Sequence, residues 1–493
     1  MTMRARKYWR DALGRAWWRG AAWAVLGGAL ALCSCVGTRP SEFAPPLELP
    51  SSFSDSGDSA PSARWWEEFG DEDLETLVER ALDDNLDLRA AVDRLAQALA
   101  TARQQGAALW PSLDGSASAS RTARRTEIPP QGGDTEYSSQ FRVGLNAGYV
   151  VDVWGKMRAA RSSAHFAASA SAYDAEATRI ALAAQVTGTW YRFVETRLQL
   201  DVLARQVASN ENSLELVEMR FRKGQVPATD VLRQRQLVES VRADRATVEG
   251  TLASLEHQLA TLTGRAPGTI QLPADVELPA VPPLPRTGTP ARWLRRRPDV
   301  QAAHMRVLSR DRSVAVALAE RYPALSPTGT AESAVPSLSE LLDQWAVSVA
   351  GTLSAPIFAG GRRDAEVART RGALSESVHQ YGQAVLNGLR EVEDALSRET
   401  AQQRTITGLE RQLDLAEETL GQLQTKYRNG TVSFIEVLSA QQSFQQLQRR
   451  LLTARRILIE RRIDLYAALG GAFSGTPTEA PGLHPLRQGV QKP

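Results

Sequence analysis

The chain has 493 residues, which is long enough for more than one domain of ordinary size. Its formal net charge at pH 7 is +2, so no strong electrostatic field points to nucleic acid as a partner. No run of 18 apolar residues follows the first 35 positions, which argues against a transmembrane helix beyond the N-terminus.

The N-terminus has the pattern of a secretory signal. Basic residues crowd the first 19 positions, and residues 21–32 form a short apolar segment. The sequence "LCSC" follows, and it places Leu32, Ser34 and Cys35 where a bacterial lipoprotein signal has its branched, small and acylated residues. We therefore predict that residues 1–34 are a lipoprotein signal peptide.

Cys35 is predicted to be the acylated residue, with palmitate among its acyl chains. Two acyl chains would make the membrane anchor stable. The next residue is Val36 rather than Asp, and by resemblance to other lipoproteins this indicates sorting to the outer membrane. Two alternatives stay open. One is an ordinary signal peptide with an incidental cysteine, and the other is a disulfide between Cys33 and Cys35.

A long internal repeat runs through the chain. Residues 221–236 read "FRKGQVPATDVLRQRQ", and residues 427–442 read "YRNGTVSFIEVLSAQQ" at an offset of 206. Residues 88–113 match residues 300–325 in the same way. Each half is predicted to contain a helix, a strand, a long loop, a strand, a long helix, a turn and a helix.

The repeat predicts the domain plan. Residues 35–62 are predicted to be an extended segment after the lipidated cysteine, and residues 63–271 are the first structural repeat. A Pro-rich linker at 272–290 leads to the second repeat at 291–473. Residues 474–493 are predicted to be a disordered tail.

Four strands are predicted, two in each half. Apolar and polar residues alternate over 141–153 and 345–357, and more weakly over 112–121 and 324–333. This length suits a tilted membrane-spanning strand, which needs about 9–11 residues. A half-buried soluble sheet fits the strands equally well. An Arg-rich segment at 121–125 is predicted to be an exposed loop.

The helices favour the membrane interpretation. Residues 156–222 and 362–428 contain no Pro and few Gly, and each as one helix would be about 100 Å long. Shorter helices are predicted at 86–109 and 228–263, and end to end they nearly equal a long one. Apolar residues over 248–262 step by four and three, as in a coiled-coil seam. An ordinary bundle would explain the seam but not the length, so we predict the wall of a helical tube.

The repeated segments are predicted to be the turns of two helical hairpins. Gly224 and Gly430 stand where a long helix needs a left-handed stop. Ser433 and Glu436 have the spacing of a capping box at the start of the next helix.

Four strands cannot enclose a pore, because known membrane barrels have at least eight. Two, three or four chains would supply 8, 12 or 16 strands to one barrel. The spacing of the sequence does not choose among these numbers.

Several motifs, in this order, resemble the TolC-like outer-membrane efflux family in its lipoprotein (NodT/OprM-like) branch. They are "CVGTRP", "RWWEEFGDEDLETLVERALDDNLDLRAA", "LWPSL", "YVVDVWGKMRAA", "RRRPDVQAA" and "SAPIFAGGRR". The resemblance implies a mixed α and β membrane protein that forms a homotrimer. Its 12-stranded outer-membrane β-barrel would continue into a coiled-coil α-helical barrel in the periplasm.

The resemblance also implies a function and partners. The chain would be the exit duct of a tripartite efflux system, with a periplasmic adaptor and an inner-membrane pump that is proton-driven. The pump would supply solutes such as drugs, and outer-membrane lipid would surround the barrel.

Family roles carry over to the hairpin turns. The resemblance implies that the adaptor contacts the tips at Gly224, Val226, Gly430 and Thr431. The periplasmic gate would consist of Tyr427, Thr229, Asp230, Ile435, Glu436 and Ser439. In the family, the tyrosine at this position holds the closed aperture through polar contacts to a neighbouring helix.

Three positions depart from the family pattern. Val432 stands where some members have an Arg that binds the acid at Asp230, and Ser439 stands where many have a ring of Asp. We hypothesise that cations block the periplasmic end of this channel more weakly than in members that have the ring of Asp. His304 replaces a usual Glu and is interpreted as a solvated helix position.

No catalytic motif is found. The five His residues are scattered without metal-ligand spacing, and neither a Walker loop nor a nucleophile elbow occurs. We therefore predict no enzyme activity, no cofactor and no metal site. The alternatives are the outer-membrane component of a type I protein secretion system and a non-conducting periplasmic coiled-coil scaffold. Cys35 and the "RRRPD" stretch favour efflux by resemblance.

Overall fold

The computed structural model describes residues 43–44, 46–59, 62–128 and 132–471. The predicted signal peptide, Cys35 and the predicted tail at 474–493 lie outside the described residues. The chain divides into two compact units, each of which is described here by itself. As far as they are described, the first contains Gln97–Ala168 and Met305–His379, and the second contains Pro45–Ala96, Ser169–His304 and Gln380–Pro493.

The first unit contains a four-stranded antiparallel sheet. Its strands are β1 (Ser112–Ile128), β2 (Gly132–Gly148), β3 (Ala324–Val335) and β4 (Ala346–Ser354). They lie in the sheet in their sequence order, and each pairs with the next. The predicted number of strands is therefore confirmed for the part of the chain that is described.

The first hairpin differs from the prediction. The segment Arg121–Arg125 lies within β1, where it pairs with Ser139–Thr135 of β2, so the predicted Arg-rich loop is wrong. β1 ends at Ile128, and β2 begins at Gly132. β2 also ends at Gly148, five residues before the alternation does, and a single bridge from Val151 to Leu325 continues the pairing.

Eight α-helices are found in the described residues. They are α1 (Glu72–Asp84), α2 (Leu86–Ala107), α3 (Lys156–Arg222), α4 (Ala228–Leu262), α5 (Pro290–Trp293), α6 (Pro298–Ala319), α7 (Arg362–Arg428) and α8 (Phe434–Ala468). Helices α3 and α7 have 67 residues each. Their bounds are the ones that we predicted from the long stretches without Pro. Helices α4 and α8 have 35 residues each.

The core of the second unit is aromatic. Trp65 stacks on Tyr466 with ring centres 5.2 Å apart, and both side chains are buried. The indole nitrogen of Trp190 donates a hydrogen bond of 2.7 Å to Asp71, whose other carboxylate oxygen caps α1 by accepting from the amide of Leu74. Burial and the hydrogen bond to Glu68 raise the pKa of Tyr466. These contacts tie α1, α3 and α8 together.

The predicted Pro-rich linker is irregular up to Pro290, where α5 begins. Arg462 of α8 donates to the carbonyl oxygens of Pro282 and Pro283 and is paired with Glu399 of α7. Arg462 and Glu399 are both buried. The linker is therefore held against α7 and α8 by a buried charge pair.

His304 is not the solvated position that the sequence suggested. Its ring centre lies 5.3 Å from that of Tyr381, and the side chain is half-buried. Burial lowers the pKa of His304. The prediction failed because α6 packs this position against an aromatic residue of α7, which the sequence pattern does not show.

None of the helices in the described ranges combines the length and the apolar composition that crossing a membrane requires.

Candidate functional site

The sheet has one apolar and one polar face. Its register places Leu113, Ala147, Gly329 and Val349 side by side across the four strands. Because directly opposite residues point to the same face, these residues share one side. The adjacent row is Asp114, Asn146, Thr330 and Ser348, and it points to the other side.

The apolar face is open to solvent within this chain. Val349 is 85% exposed, Val347 is 75% exposed and Leu353 is 70% exposed. On the polar face, the hydroxyl groups of Thr330 and Ser348 lie 2.6 Å apart. An exposed apolar face of this kind needs a cover from outside the chain. A lipid phase would supply it, and the polar face would then line water.

The sheet also has two open edges. Strands β1 and β4 are the outer strands, and within the described residues each pairs on one side only. Their outward amide and carbonyl groups form a template for a strand from another chain. This chain alone cannot close the sheet.

The two helical hairpin turns have the same geometry. Gly224 has a φ of +69°, its amide donates to the carbonyl of Phe221, and the next amide donates to Arg220. Gly430 has a φ of +74°, and the corresponding bonds run to Tyr427 and Lys426. Both glycines therefore end a long helix in the left-handed conformation, as predicted.

The second turn has an additional cap. The hydroxyl of Ser433 lies 2.8 Å from Oε1 of Glu436, and the amide of Ser433 donates to the same oxygen at 3.1 Å. The predicted capping box is present. Hydrogen bonds from this hydroxyl and amide lower the pKa of Glu436. The first turn begins its next helix at Pro227 without a side-chain cap.

Tyr427 lies between the two hairpins. Its ring centre is 5.5 Å from that of Phe434, and the guanidinium carbon of Arg220 lies 4.8 Å from it. The hydroxyl is buried and has no hydrogen-bond partner among the described residues. Within one chain, the structure therefore does not join Tyr427 to Thr229 or Asp230 by a hydrogen bond.

The other predicted gate residues lie mostly on the surface. Thr229, Ile435, Glu436 and Ser439 are exposed, whereas Asp230 is half-buried. Ser439 lies four positions after Ile435 and three after Glu436 on α8, and side chains at these spacings are neighbours on a helix surface, so Ser439 lies beside both. This face is free for a bore or for another subunit.

The predicted tip residues follow the same pattern. Gly224, Gly430 and Thr431 are exposed. Val226 is half-buried and packs against an apolar cluster that includes Val231 and Phe434.

Sequence reasoning missed a buried layer of side-chain amides. Oδ1 of Asn210 accepts from Nε2 of Gln441 at 2.6 Å and from Nε2 of Gln445 at 3.1 Å. Nε2 of Gln234 donates to the backbone carbonyl of Asn210 at 2.8 Å. We call these four residues the amide layer. The available signal was a set of amide residues at core positions of the coiled-coil helices.

Comparison with known proteins gives a consistent assignment. The family described as outer membrane efflux protein matches residues 77–265 and 289–471. The chain is 29% identical over 465 residues to the pyoverdine export outer membrane protein OpmQ of Pseudomonas aeruginosa, covering 91% of this chain and 96% of that protein. It is 28% identical over 463 residues to the cation efflux system protein CusC of Escherichia coli, covering 90% of this chain and 97% of that one.

The fold is also that of a solved channel. The structure of the outer-membrane channel OprN matches with a TM-score of 0.80 at 25% identity, covering 88% of this chain and 99% of that chain.

Proposed function

The chain belongs to the outer membrane efflux protein family, and we propose that it is the exit duct of a tripartite efflux system. It is an outer-membrane efflux channel with a helical tunnel in the periplasm. In the proposal, a proton-driven inner-membrane pump loads the tunnel and a periplasmic adaptor joins the two. The duct performs no chemistry on its cargo, and the solute diffuses through a water-filled bore.

The observation that carries the proposal is the two-faced sheet with open edges. Three copies of a four-stranded sheet give a barrel of 12 strands, with β4 of one chain beside β1 of the next. The exposed side chains of Val347 and Val349 then face lipid, and Thr330 and Ser348 face the lumen. The family resemblance supplies the number three.

The proposed gate lies at the hairpin turns. Tyr427 is held by packing against Phe434 and by the cation of Arg220, rather than by a hydrogen bond of its own. Exposed Ile435, Glu436 and Ser439 line the aperture on α8, and Thr229 and Asp230 lie near the start of α4. The adaptor contacts Gly224, Val226, Gly430 and Thr431. It binds the open arrangement more tightly and so shifts the population toward it.

The proposal includes the N-terminal anchor and the domain plan. Lipid on Cys35 holds each chain at the membrane, and residues 35–62 connect the anchor to the first repeat. The repeats at 63–271 and 291–473 each contribute two strands and one helical hairpin. The linker at 272–290 joins them.

The cargo is set by the pump rather than by this chain. Relatives of nearly equal identity are named for unlike cargoes, pyoverdine for OpmQ and cations for CusC. Small solutes such as drugs are our first assignment. Protein export by a type I secretion system is the second candidate, since it would use the same duct.

Single-channel conductance of the purified protein in a planar bilayer tests the proposal. We expect a small, seldom open wild-type channel and a wide, mostly open Tyr427→Ala channel. Tyr427→Phe is the matched control, because it keeps the ring and removes a hydroxyl that has no hydrogen-bond partner among the described residues. It should behave as wild type. Folded protein that gives no conductance in any of the three forms would instead support the scaffold alternative.

A further inference from the structure

A cavity of about 580 Å³ lies in the first unit, at the end of the sheet where β2 leads to α3 and β4 leads to α7. Its walls come from three stretches of chain, at 150–157, 319–324 and 354–366. The family assignment gives this cavity no role.

The acidic residues in this cavity are already paired with cations. The distances from side-chain nitrogen to carboxylate oxygen are 3.1 Å for Arg158 and Asp152, 3.0 Å for Lys156 and Glu320, and 2.6 Å for Arg369 and Glu366. Among the described residues, none of these three carboxylates forms an ion pair with Arg362 or Arg363.

Two arginines of the cavity are left over. Arg362 and Arg363 are the first two residues of α7. Among the described residues, neither side chain has an ion pair or a hydrogen bond. The Nε of Arg363 is buried without a partner. A guanidinium group presents a planar fork of donors that matches a phosphate, so the cavity has unused capacity for an anion of this shape.

Exposed apolar and aromatic residues lie at the same end of the sheet. Trp110 comes just before β1, and Ile357 and Phe358 come just after β4, with Ile357 97% exposed and Phe358 92% exposed. Trp154 stacks on Tyr322 with ring centres 4.6 Å apart. Aromatic residues of this kind concentrate where the hydrocarbon of a membrane meets the headgroups.

We propose that this cavity binds the phosphate headgroup of an anionic phospholipid from the periplasmic leaflet. Arg362 and Arg363 bind the phosphate oxygens, and the acyl chains extend along the apolar face past Phe358 and Leu353. The site rests on the orientation of the sheet given in the proposed function. Binding at this site fixes the depth of the barrel in the membrane, because the anionic headgroups that neutralise these arginines lie in one layer.

Native mass spectrometry of the purified full-length protein in neutral detergent tests the site. The probes are phosphatidylglycerol, phosphatidylcholine and inorganic phosphate. We expect the wild type to retain phosphatidylglycerol with about tenfold higher affinity than phosphatidylcholine, since arginines near an anionic headgroup favour it. Arg362→Gln/Arg363→Gln should remove this preference. The charge-matched control Arg103→Gln/Arg371→Gln changes exposed arginines outside the cavity and should keep it.

Three outcomes would overturn the assignment. These are equal retention of both lipids by the wild type, an equal loss in the control, and displacement of the lipid by inorganic phosphate at matched concentration, which would indicate a free-phosphate site. If the double variant does not fold, Phe358→Ala decides, because it should weaken lipid retention without changing charge. Normal conductance in a variant that has lost lipid preference supports the site, and it shows that the channel function is independent of it.

Discussion

The side-chain nitrogen Nε2 of Gln441 lies 2.6 Å from Oδ1 of Asn210, and this bond joins the second helical hairpin to the first. Asn210 has no exposed surface, so its oxygen depends on the partners that α8 supplies. A polar group buried in this way fixes the relative register of helices, because a shifted register leaves it unsatisfied. The amide layer therefore holds one alignment of the two hairpins.

Replacing Asn210 with leucine should destabilise that alignment. Gln441 and Gln445 then lose their common acceptor, and each buried unsatisfied amide costs about 1–3 kcal/mol. The measurement is the temperature at which the proposed trimer dissociates, which should fall. Asn212→Leu is the matched control on the same helix, because Asn212 is exposed. An equal fall in both variants would mean that the layer does not act as a register device.

The contact between Arg220 and Tyr427 should bias the gate toward the closed state. A cation above an aromatic ring contributes about 0.5–1 kcal/mol at a partly exposed site. Arg220→Gln should therefore raise the open fraction about two- to fivefold in a planar bilayer. Arg222→Gln removes an exposed charge from the same turn of α3 and should leave the open fraction unchanged. Indistinguishable recordings from the two variants would exclude the cation contact as part of the gate.

The hairpins show how far sequence reasoning reached. Gly224 and Gly430 interrupt long stretches without proline, so the ends of α3 and α7 follow from local chemistry. The contacts of Tyr427 did not follow, because Arg220 is distant in sequence and reaches the ring only through packing between the hairpins. Gln441 and Gln445 were missed for a similar reason. A glutamine is usually a surface residue, and only its partner on another helix makes it a core one.

In the sheet, too, one part could be predicted from the sequence and another could not. The clear alternation within β4 predicted a strand, because period two is a local property. The segment Arg121–Arg125 was predicted to be an exposed loop because it is rich in arginine. Pairing with β2 makes it a strand, and strand formation depends more on neighbours than on intrinsic preference.

The buried pair of Arg462 and Glu399 should be essential to the second unit. Replacing Arg462 with methionine leaves an uncompensated carboxylate and should cost about 3–5 kcal/mol. Arg462→Met/Glu399→Gln should recover much of the loss, since no buried charge is then left unpaired. Thermal unfolding measures the stability, and limited proteolysis at 272–290 reports release of the linker. Arg461→Met breaks the more exposed pair with Asp464 and should cost less than about 1 kcal/mol. Equal losses from Arg461→Met and Arg462→Met would contradict this account.

The second hairpin turn should loosen in acid. The pKa of Glu436 is lowered by its bonds from Ser433, so the cap is present above the ordinary glutamate pKa of 4.5 and is lost as the pH falls through the lowered value. Hydrogen exchange at residues 429–434, corrected for intrinsic rates, should accelerate over that range. The first turn is an internal control, because Pro227 provides no side-chain cap there. Parallel acceleration at both turns would mean general acid unfolding rather than loss of the cap.

Ser439 should determine how strongly divalent cations block the periplasmic end. It is exposed on the face of α8 that also carries Glu436, and in a trimer three copies bring no charge. In the proposed trimer, Ser439→Asp adds three carboxylates at the proposed aperture, where a ring of acids attracts cations. We expect stronger block by calcium ions applied to that side of a planar bilayer than in wild type. Ser397→Asp adds the same charge at an exposed site on α7, far along the helix from the turn, and should not change the block. Equal block in the wild type and in Ser439→Asp would exclude Ser439 from the conducting aperture, because a carboxylate that lines the bore attracts a divalent cation.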